Sequence, residues 1–168
     1  FTAAYFDQSG LYAFGRQPEA MHWNLAQLAI SLRLICDSQP LVEALESYPA
    51  LFQSALVRRF LWRLGVESRG ADQDRALVEA SERAMIEAQI PIADFFHHHR
   101  GGAVPVGQYA GEKYELFAKI MPAYATQALD GYWQLNPPCA LLIEEVESIW
   151  AAIAQDDDWA PLDTKIKD

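Results

Sequence analysis

The residues best suited to chemistry lie in one short run, Asp94-Phe95-Phe96-His97-His98-His99-Arg100. In a helix, Asp94 and His98 lie one turn apart on the same face, where a carboxylate and an imidazole could share a divalent metal. Zinc sites use three or four protein ligands, and the sequence offers no second pair with suitable spacing. The pattern therefore favours a solvated helix end, with the histidines beside the negative end of the helix dipole, and leaves a metal-dependent hydrolase as the least favoured hypothesis.

Other motifs that could bind a nucleotide or a metal are incomplete. Gly101-Gly102 follows a predicted helix, and the residues after it supply no Lys, Ser or Thr for a phosphate or Mg²⁺. Glu144 and Glu147 share one helix face, which is more typical of solvated carboxylates than of a catalytic pair. The aspartates at 156–158 lack the spacing of an EF-hand loop. These residues therefore predict no catalytic, cofactor-binding or metal-binding position in this chain.

Composition and charge narrow the class of protein. The chain has 168 residues, of which 51% are hydrophobic, and a formal net charge of -10. This profile predicts a folded, soluble protein, and its acidity argues against nucleic acid as a partner. No apolar run is long enough to cross a membrane. Cys36 and Cys139 lie far apart, which indicates reduced thiols and a cytoplasmic location, with a single long-range disulfide as the alternative. Because Phe1 is not an initiator Met and no signal peptide follows it, we expect an upstream region.

Helical periodicity dominates the chain, and no segment alternates like a strand. The sequence predicts two helical segments split by Pro122, and helices over residues 18–35, 38–46, 49–64, 72–89, 91–99 and 141–155. The second and third of these are read either as two helices or as one helix kinked at Pro49. We therefore predict an all-α, orthogonal or bundle-like accessory domain over residues 18–168, preceded by a short extended arm over residues 1–17.

Two of these helices carry apolar stripes at helical spacing. The first stripe is predicted to anchor a local core, and it consists of Met21, Leu25, Leu28, Leu32 and Ile35. The second is predicted to face inward, and it consists of Ile143, Val146, Trp150 and Ile153. Trp23 lies off the first stripe, and together with Asn24 it could present a second contact surface.

Two stretches near the N-terminus form a compact motif: Gly10-Leu11-Tyr12-Ala13-Phe14-Gly15-Arg16-Gln17-Pro18 and Trp23-Asn24-Leu25-Ala26-Gln27-Leu28-Ala29. They closely resemble the selenoprotein O family, whose members carry Gly-Arg-Tyr-x-Phe-x-x-Gln-Pro followed by Trp-Asn-Leu-x-x-Leu-Ala. Leu11 stands where the family usually has Arg. Weaker echoes spread the resemblance over most of the chain, and they are Leu64-Gly65, Phe95-Phe96 with Arg100-Gly101-Gly102, and Asp156-Asp157-Asp158-Trp159.

The resemblance implies a kinase-like protein that binds ATP in a flipped orientation and transfers AMP to protein hydroxyls with Mg²⁺. In that family the ATP-binding Lys and Arg residues and the metal-binding Asn and Asp lie upstream of the Gly-x-Tyr-x-Phe motif. ATP and Mg²⁺ would therefore belong to the parent protein, and no catalytic residue is carried over to this chain. We expect the chain alone to be inactive.

Two functional hypotheses follow from the resemblance and the charge. In the first, the chain is the C-terminal helical region of an adenylyltransferase and buttresses an upstream kinase-like domain, with a protein substrate as a further partner. The candidate docking residues are Tyr12, Phe14, Gln17, Pro18, Trp23 and Asn24. In the alternative, the chain is an acidic helical interaction module without an enzymatic role, whose residues 65–168 recruit a basic partner.

Overall fold

The computed structural model describes residues 9–10, 13–125, 131–134 and 141–167, with only the backbone of Phe14 and Gln134. The chain divides into two compact units, residues 1–60 and 61–168. The predicted arm falls partly on residues 1–8 and 11–12, which lie outside the described residues. The same holds for residues 136–138, whose Asn-Pro-Pro sequence predicts a break between helices. The division into an arm and one helical domain stays a prediction.

Every regular element of the described residues is helical, which confirms the all-α prediction. The α-helices are α1 (Gln17–Leu32), α2 (Ser38–Leu64), α3 (Ala71–Glu87), α4 (Ile92–His98), α5 (Glu112–Ile120), α6 (Ile143–Asp156) and α7 (Ala160–Lys167). Short 3-10 turns cover Phe14–Arg16, Arg100–Gly102, Met121–Tyr124 and Gly131–Gln134. Within the part of the chain that the structure describes, no helix is long and apolar enough to cross a membrane.

The first unit contains α1 and most of α2. Pro18 lies in the first turn of α1, where a residue without an N–H loses no helical hydrogen bond. The helix α2 continues through Pro49, so the single-helix alternative of the sequence prediction is the observed one. Tyr48 joins the two helices, because its hydroxyl donates to the Pro18 carbonyl at 3.1 Å and its ring stacks on His22 with centroids 5.2 Å apart.

The predicted apolar stripe of α1 does not form a core in this unit. No residue of α1 is buried. Met21, Leu28 and Ile35 are each at least half exposed. The prediction that this stripe anchors a local core is therefore wrong for these residues, since periodicity identifies an apolar face but not what covers it.

The second unit has a core between α3 and α5, closed by α4 and the last turn of α2. Its largest fully buried side chains are Phe95, Phe117, Leu64, Leu77, Met121, His99 and Ser81. The helix α3 begins at Ala71, after Gly70, whereas the sequence predicts a start at Asp72, a residue type that often caps helices. Asp72 instead pairs with Arg75 one turn along, in an exposed ion pair.

The last two helices have no buried residue. Of the predicted inner stripe of α6, Ile143, Val146 and Trp150 are exposed and Ile153 is half-buried, so the inward prediction is wrong for three of its four members. One of the aspartates at 156–158 supports the start of α7. The Asp158 carboxylate accepts a hydrogen bond at 3.0 Å from the Ala160 N–H, in the first turn of α7.

Candidate functional site

The predicted docking residues that the structure describes lie in the first half of α1 and in the turn before it. Gln17 is the first residue of the helix and is exposed, and Pro18 is half-buried beneath the Tyr48 hydroxyl. Tyr12 and the neighbouring Leu11 lie outside the described residues. The backbone of Phe14 opens the 3-10 turn that leads into α1. The last residues of the motif are therefore the first residues of α1.

The turn before α1 is held by hydrogen bonds from Arg16. Its Nε lies 3.0 Å from the Glu19 carboxylate, and its Nη1 donates to the Ser9 carbonyl at 3.4 Å. Gly10 adopts a φ of 68°, and its carbonyl accepts from the Ala13 N–H at 3.0 Å. A positive φ suits glycine, which explains its place at the head of the motif. These contacts set the direction in which the chain enters α1.

Trp23 and Asn24 lie on the open side of α1. The Trp23 side chain is 62% exposed, and Asn24 is exposed beside it. Met21 and Leu28 are also exposed, and they lie on the predicted stripe, on a different side of the helix from Trp23. An exposed tryptophan lacks the stabilisation that burial gives, and aromatic side chains are enriched at interaction surfaces. We call the exposed side chains of Gln17, Trp23 and Asn24, with Met21 and Leu28, the α1 face.

The histidine run is a buried aromatic cluster, so the prediction of a solvated helix end is wrong. His97 and His99 are buried. The His97 ring contacts the rings of Tyr132 and Trp133 with centroids 5.5 and 5.6 Å apart. The His99 ring stacks on Phe95 at 4.6 Å. The flanking phenylalanines are the signal that sequence reasoning missed, because they place α4 in the core.

The tautomer of His99 follows from its two hydrogen bonds. Its Nδ1 lies 2.8 Å from the Phe95 carbonyl oxygen, which can only accept, so Nδ1 carries the hydrogen. Its Nε2 lies 3.0 Å from the Tyr114 hydroxyl and accepts from it. Burial lowers the pKa of His99 to about 4 and raises the pKa of Tyr114 to about 12. Both side chains are neutral at pH 7, which suits packing rather than proton transfer.

The predicted metal pair does not assemble into a site. The Nδ1 of His98 shares a hydrogen bond of 2.6 Å with the Tyr109 hydroxyl. Burial raises the pKa of Tyr109, and the charge of Asp94 raises it further. Among the residues described, no three His, Cys, Asp or Glu side chains lie close enough together to hold a metal ion. The described effect of Asp94 is therefore that of a negative charge on the pKa of Tyr109.

Two polar residues to which the sequence assigned no structural role, Asp74 and Arg100, organise the second unit. The buried carboxylate of Asp74 accepts from the Ser68 hydroxyl at 2.5 Å, the Arg69 N–H at 2.9 Å and the Tyr124 hydroxyl at 3.0 Å. Burial raises the pKa of Asp74, but these hydrogen bonds outweigh burial and hold it below its ordinary value. Its helical spacing with the apolar Leu77 and Val78 was the available signal, because it places a carboxylate on an inward face.

Arg100 is the second of these residues. Its Nη1 donates to the carbonyls of Trp62 at 3.0 Å and Arg63 at 2.9 Å, at the end of α2. Its guanidinium also lies over the Trp133 ring, with Cζ 4.6 Å from the centroid. Gly102, at φ 88°, has no room for a side chain, because a Cβ there would collide with the Ala125 backbone. The Arg-Gly-Gly echo therefore has a structural role.

Comparison with known proteins shows which family this chain resembles. Residues 1–108 match the family described as protein adenylyltransferase SelO. A protein nucleotidyltransferase YdiU from Synechocystis is 29% identical over 191 residues, covering 99% of this chain and 40% of the relative. The YdiU protein of Gloeobacter violaceus is 30% identical, covering 96% of this chain and 37% of the relative. That of Variovorax paradoxus is 38% identical over 106 residues, covering 60% of this chain and 21% of the relative. No solved structure matches the chain.

Each comparison covers a larger share of this chain than of the relative. The chain spans about two fifths of the length of the Synechocystis and Gloeobacter relatives, whereas nearly all of the chain is matched. The motif residues of the α1 face lie within the matched family region.

Proposed function

The chain belongs to the SelO family of protein adenylyltransferases, and from that premise we propose that it is a helical accessory region of such an enzyme. In this proposal the whole protein transfers AMP from ATP to hydroxyl groups of a protein substrate, and this chain supplies no catalytic side chain. ATP and Mg²⁺ bind to the upstream kinase-like domain. The α1 face docks against that domain and buttresses it.

One observation carries the docking role. The α1 helix has no buried residue, although it holds a family motif and an exposed tryptophan. The second unit, in contrast, has its own buried core. Burying the Trp23 side chain against another domain removes a large apolar area from water and leaves its indole N–H at the rim for a polar partner. The Tyr48 hydrogen bond to Pro18 orders the helix start before docking, so less entropy is lost when the partner binds.

The charge state of the buried His99 supports a non-catalytic role for this residue. A phosphate-transfer centre needs cations or metal ligands aimed at the phosphates. The buried His99 has a pKa of about 4 and is a poor general base at neutral pH. We also propose a cytoplasmic location, which rests on the composition and the cysteine usage of the chain.

The test of transfer compares this chain with a longer protein that contains its upstream region. Each is incubated with Mg²⁺ and ATP labelled at the α-phosphate, and label on protein is measured. Labelling by the longer protein only is the expected result. Labelling by this chain alone would overturn the accessory role, and labelling by neither would overturn the proposed activity.

The test of docking uses the same substitution in both proteins. Trp23→Ala is expected to destabilise the longer protein by about 2 kcal/mol or more, since truncated tryptophans at buried interfaces have effects of this size. In the chain alone the same change should alter the free energy of unfolding by less than about 0.5 kcal/mol, because the side chain is already exposed. Ile86→Ala, at an exposed position of α3, is the control and should be neutral in both. Equal effects of Trp23→Ala in the two proteins would contradict docking.

A further inference from the structure

The hairpin of α6 and α7 is defined by contacts of its own. Asp157 adopts a left-handed conformation with φ 52° and ends α6. The Trp159 indole N–H donates to the Asp157 carboxylate at 2.9 Å. Across the hairpin, Lys165 Nζ lies 2.8 Å from the Glu145 carboxylate, and both side chains are largely covered. These contacts fix which side of α6 faces α7.

The side of α6 next to the one that faces α7 is an open apolar stripe. Ile143, Val146 and Trp150 follow one another at spacings of three and four residues and therefore share a face. Their side chains are 64%, 42% and 64% exposed. Ile149 is half-buried, and it lies on the side of Glu145, towards α7. We call the stripe of Ile143, Val146 and Trp150 the α6 face.

The charged side chains of α6 itself all have one sign. Glu144 and Glu147 are exposed beside the stripe, on the edge away from α7, and Asp156 closes the helix. The sequence of α6, IEEVESIWAAIAQD, contains no Lys, Arg or His. An apolar stripe with carboxylates along its free edge is complementary to a helix that carries apolar residues on one face and Lys or Arg beside them.

We propose that the α6 face binds a cationic amphipathic helix of a partner protein. Apolar side chains of that helix would pack on Val146 and Trp150, and its Lys or Arg residues would pair with Glu144 and Glu147. A second copy of this chain is a poorer occupant, because two α6 faces would bring carboxylates together. Nucleic acid and anionic membranes are repelled by the same carboxylates. The proposal does not depend on adenylyl transfer.

The binding experiment uses a synthetic peptide as the probe. A short amidated peptide of Leu, Lys and Ala places Leu at helical spacing and Lys beside it, and a matched peptide carries Glu in place of Lys. Titration calorimetry measures the affinity of each for the chain. The Lys peptide should bind with an affinity that falls as salt is added, and the Glu peptide should bind at least about tenfold more weakly. Absence of binding by the Lys peptide would overturn the proposal.

Variants of the α6 face locate the binding. Trp150→Ala and Glu147→Lys should each weaken the Lys peptide by about tenfold or more, whereas Glu82→Lys, at an exposed position of α3, should leave it within about twofold. Thermal melting of each variant checks the fold, which substitutions at exposed positions should preserve. Unchanged affinity in Trp150→Ala would overturn the proposal. Two other results would assign the α6 face to another occupant and so overturn the proposal. One is dimerisation of the chain that the Trp150→Ala substitution abolishes. The other is loss of peptide binding in the longer protein.

Discussion

At the scale of single residues, His99 shows how burial decides the role of a titratable group. Its imidazole is held neutral by a carbonyl acceptor on one nitrogen and a tyrosine donor on the other. Protonation would place a charge among Phe95, Phe117 and Tyr114 and would turn the accepting nitrogen into a second donor. The residue that the sequence predicted at a solvated helix end is therefore a neutral part of the core.

This arrangement predicts a pH dependence of stability with a definite sign. The unfolded imidazole has the ordinary histidine pKa of about 6.5, and burial lowers the pKa of the folded one to about 4. As the pH falls from about 6.5 to about 4, the unfolded state takes up a proton that the folded state refuses. The His99 contribution to the free energy of unfolding, about 3 kcal/mol above pH 6.5, is therefore lost across this window.

The measurement is urea unfolding of the chain between pH 7 and pH 4, with His99→Gln as the comparison. The variant should show a smaller loss of stability over the same range, because carboxylate titration is common to both proteins. Should the variant fail to fold, NMR titration of the His99 ring in the parent gives its pKa directly. A folded pKa near 6.5 would contradict the assignment.

At the scale of elements, the end of α2 shows how one side chain terminates a helix. Gly65, at φ 67°, donates its N–H to the Trp62 carbonyl at 3.0 Å, and the Val66 N–H reaches the Leu61 carbonyl at 3.1 Å. This pattern is the Schellman motif, in which glycine occupies the left-handed position. Arg100 also donates to the Trp62 carbonyl and to one further carbonyl, that of Arg63, so α2 and the segment after α4 are joined at this point.

Gly65→Ala is therefore expected to destabilise the chain through two separate effects. The left-handed backbone conformation costs about 1 to 2 kcal/mol for an L-residue. The added Cβ would also lie 2.5 Å from Arg100 Nε and displace the guanidinium from its carbonyls. Gly107→Ala is the matched control, because Gly107 has φ 71° but no atom near its would-be Cβ. Urea unfolding should show a larger loss for Gly65→Ala, and equal losses would refute the role of Arg100.

The elements also show how far the sequence could predict this molecule. Periodicity located α1, α2, α3, α4 and α6. The predicted start of α3 is wrong, because Gly70 has φ 119°, a conformation that helix propensities do not predict. Periodicity also could not say what covers an apolar stripe, which is why the stripes of α1 and α6 were read as inward. Hydrogen bonds over long sequence separations, such as Tyr124 to Asp74, leave no local pattern at all.

At the scale of the whole molecule, the two units differ in how they are stabilised. Residues 61–168 contain all the buried side chains described, whereas the described part of residues 1–60 has none. Local opening of a segment is governed by the apolar contacts that it must break. The described part of the first unit should therefore open more readily than the second unit, and the docking that we propose would add the apolar contacts that it lacks.

Hydrogen exchange measured by mass spectrometry tests this difference directly. In the chain alone, amides of α1 should exchange with opening free energies about 2 kcal/mol or more below those of α3 and α5. In the longer protein, docking of the α1 face should slow exchange in α1, while α3 and α5 serve as the internal reference and stay unchanged. Exchange in α1 that is as slow as in α3 in the chain alone would mean that the first unit is stable by itself. Exchange in α1 that remains fast in the longer protein would place the docking contacts elsewhere, even if that protein transfers AMP.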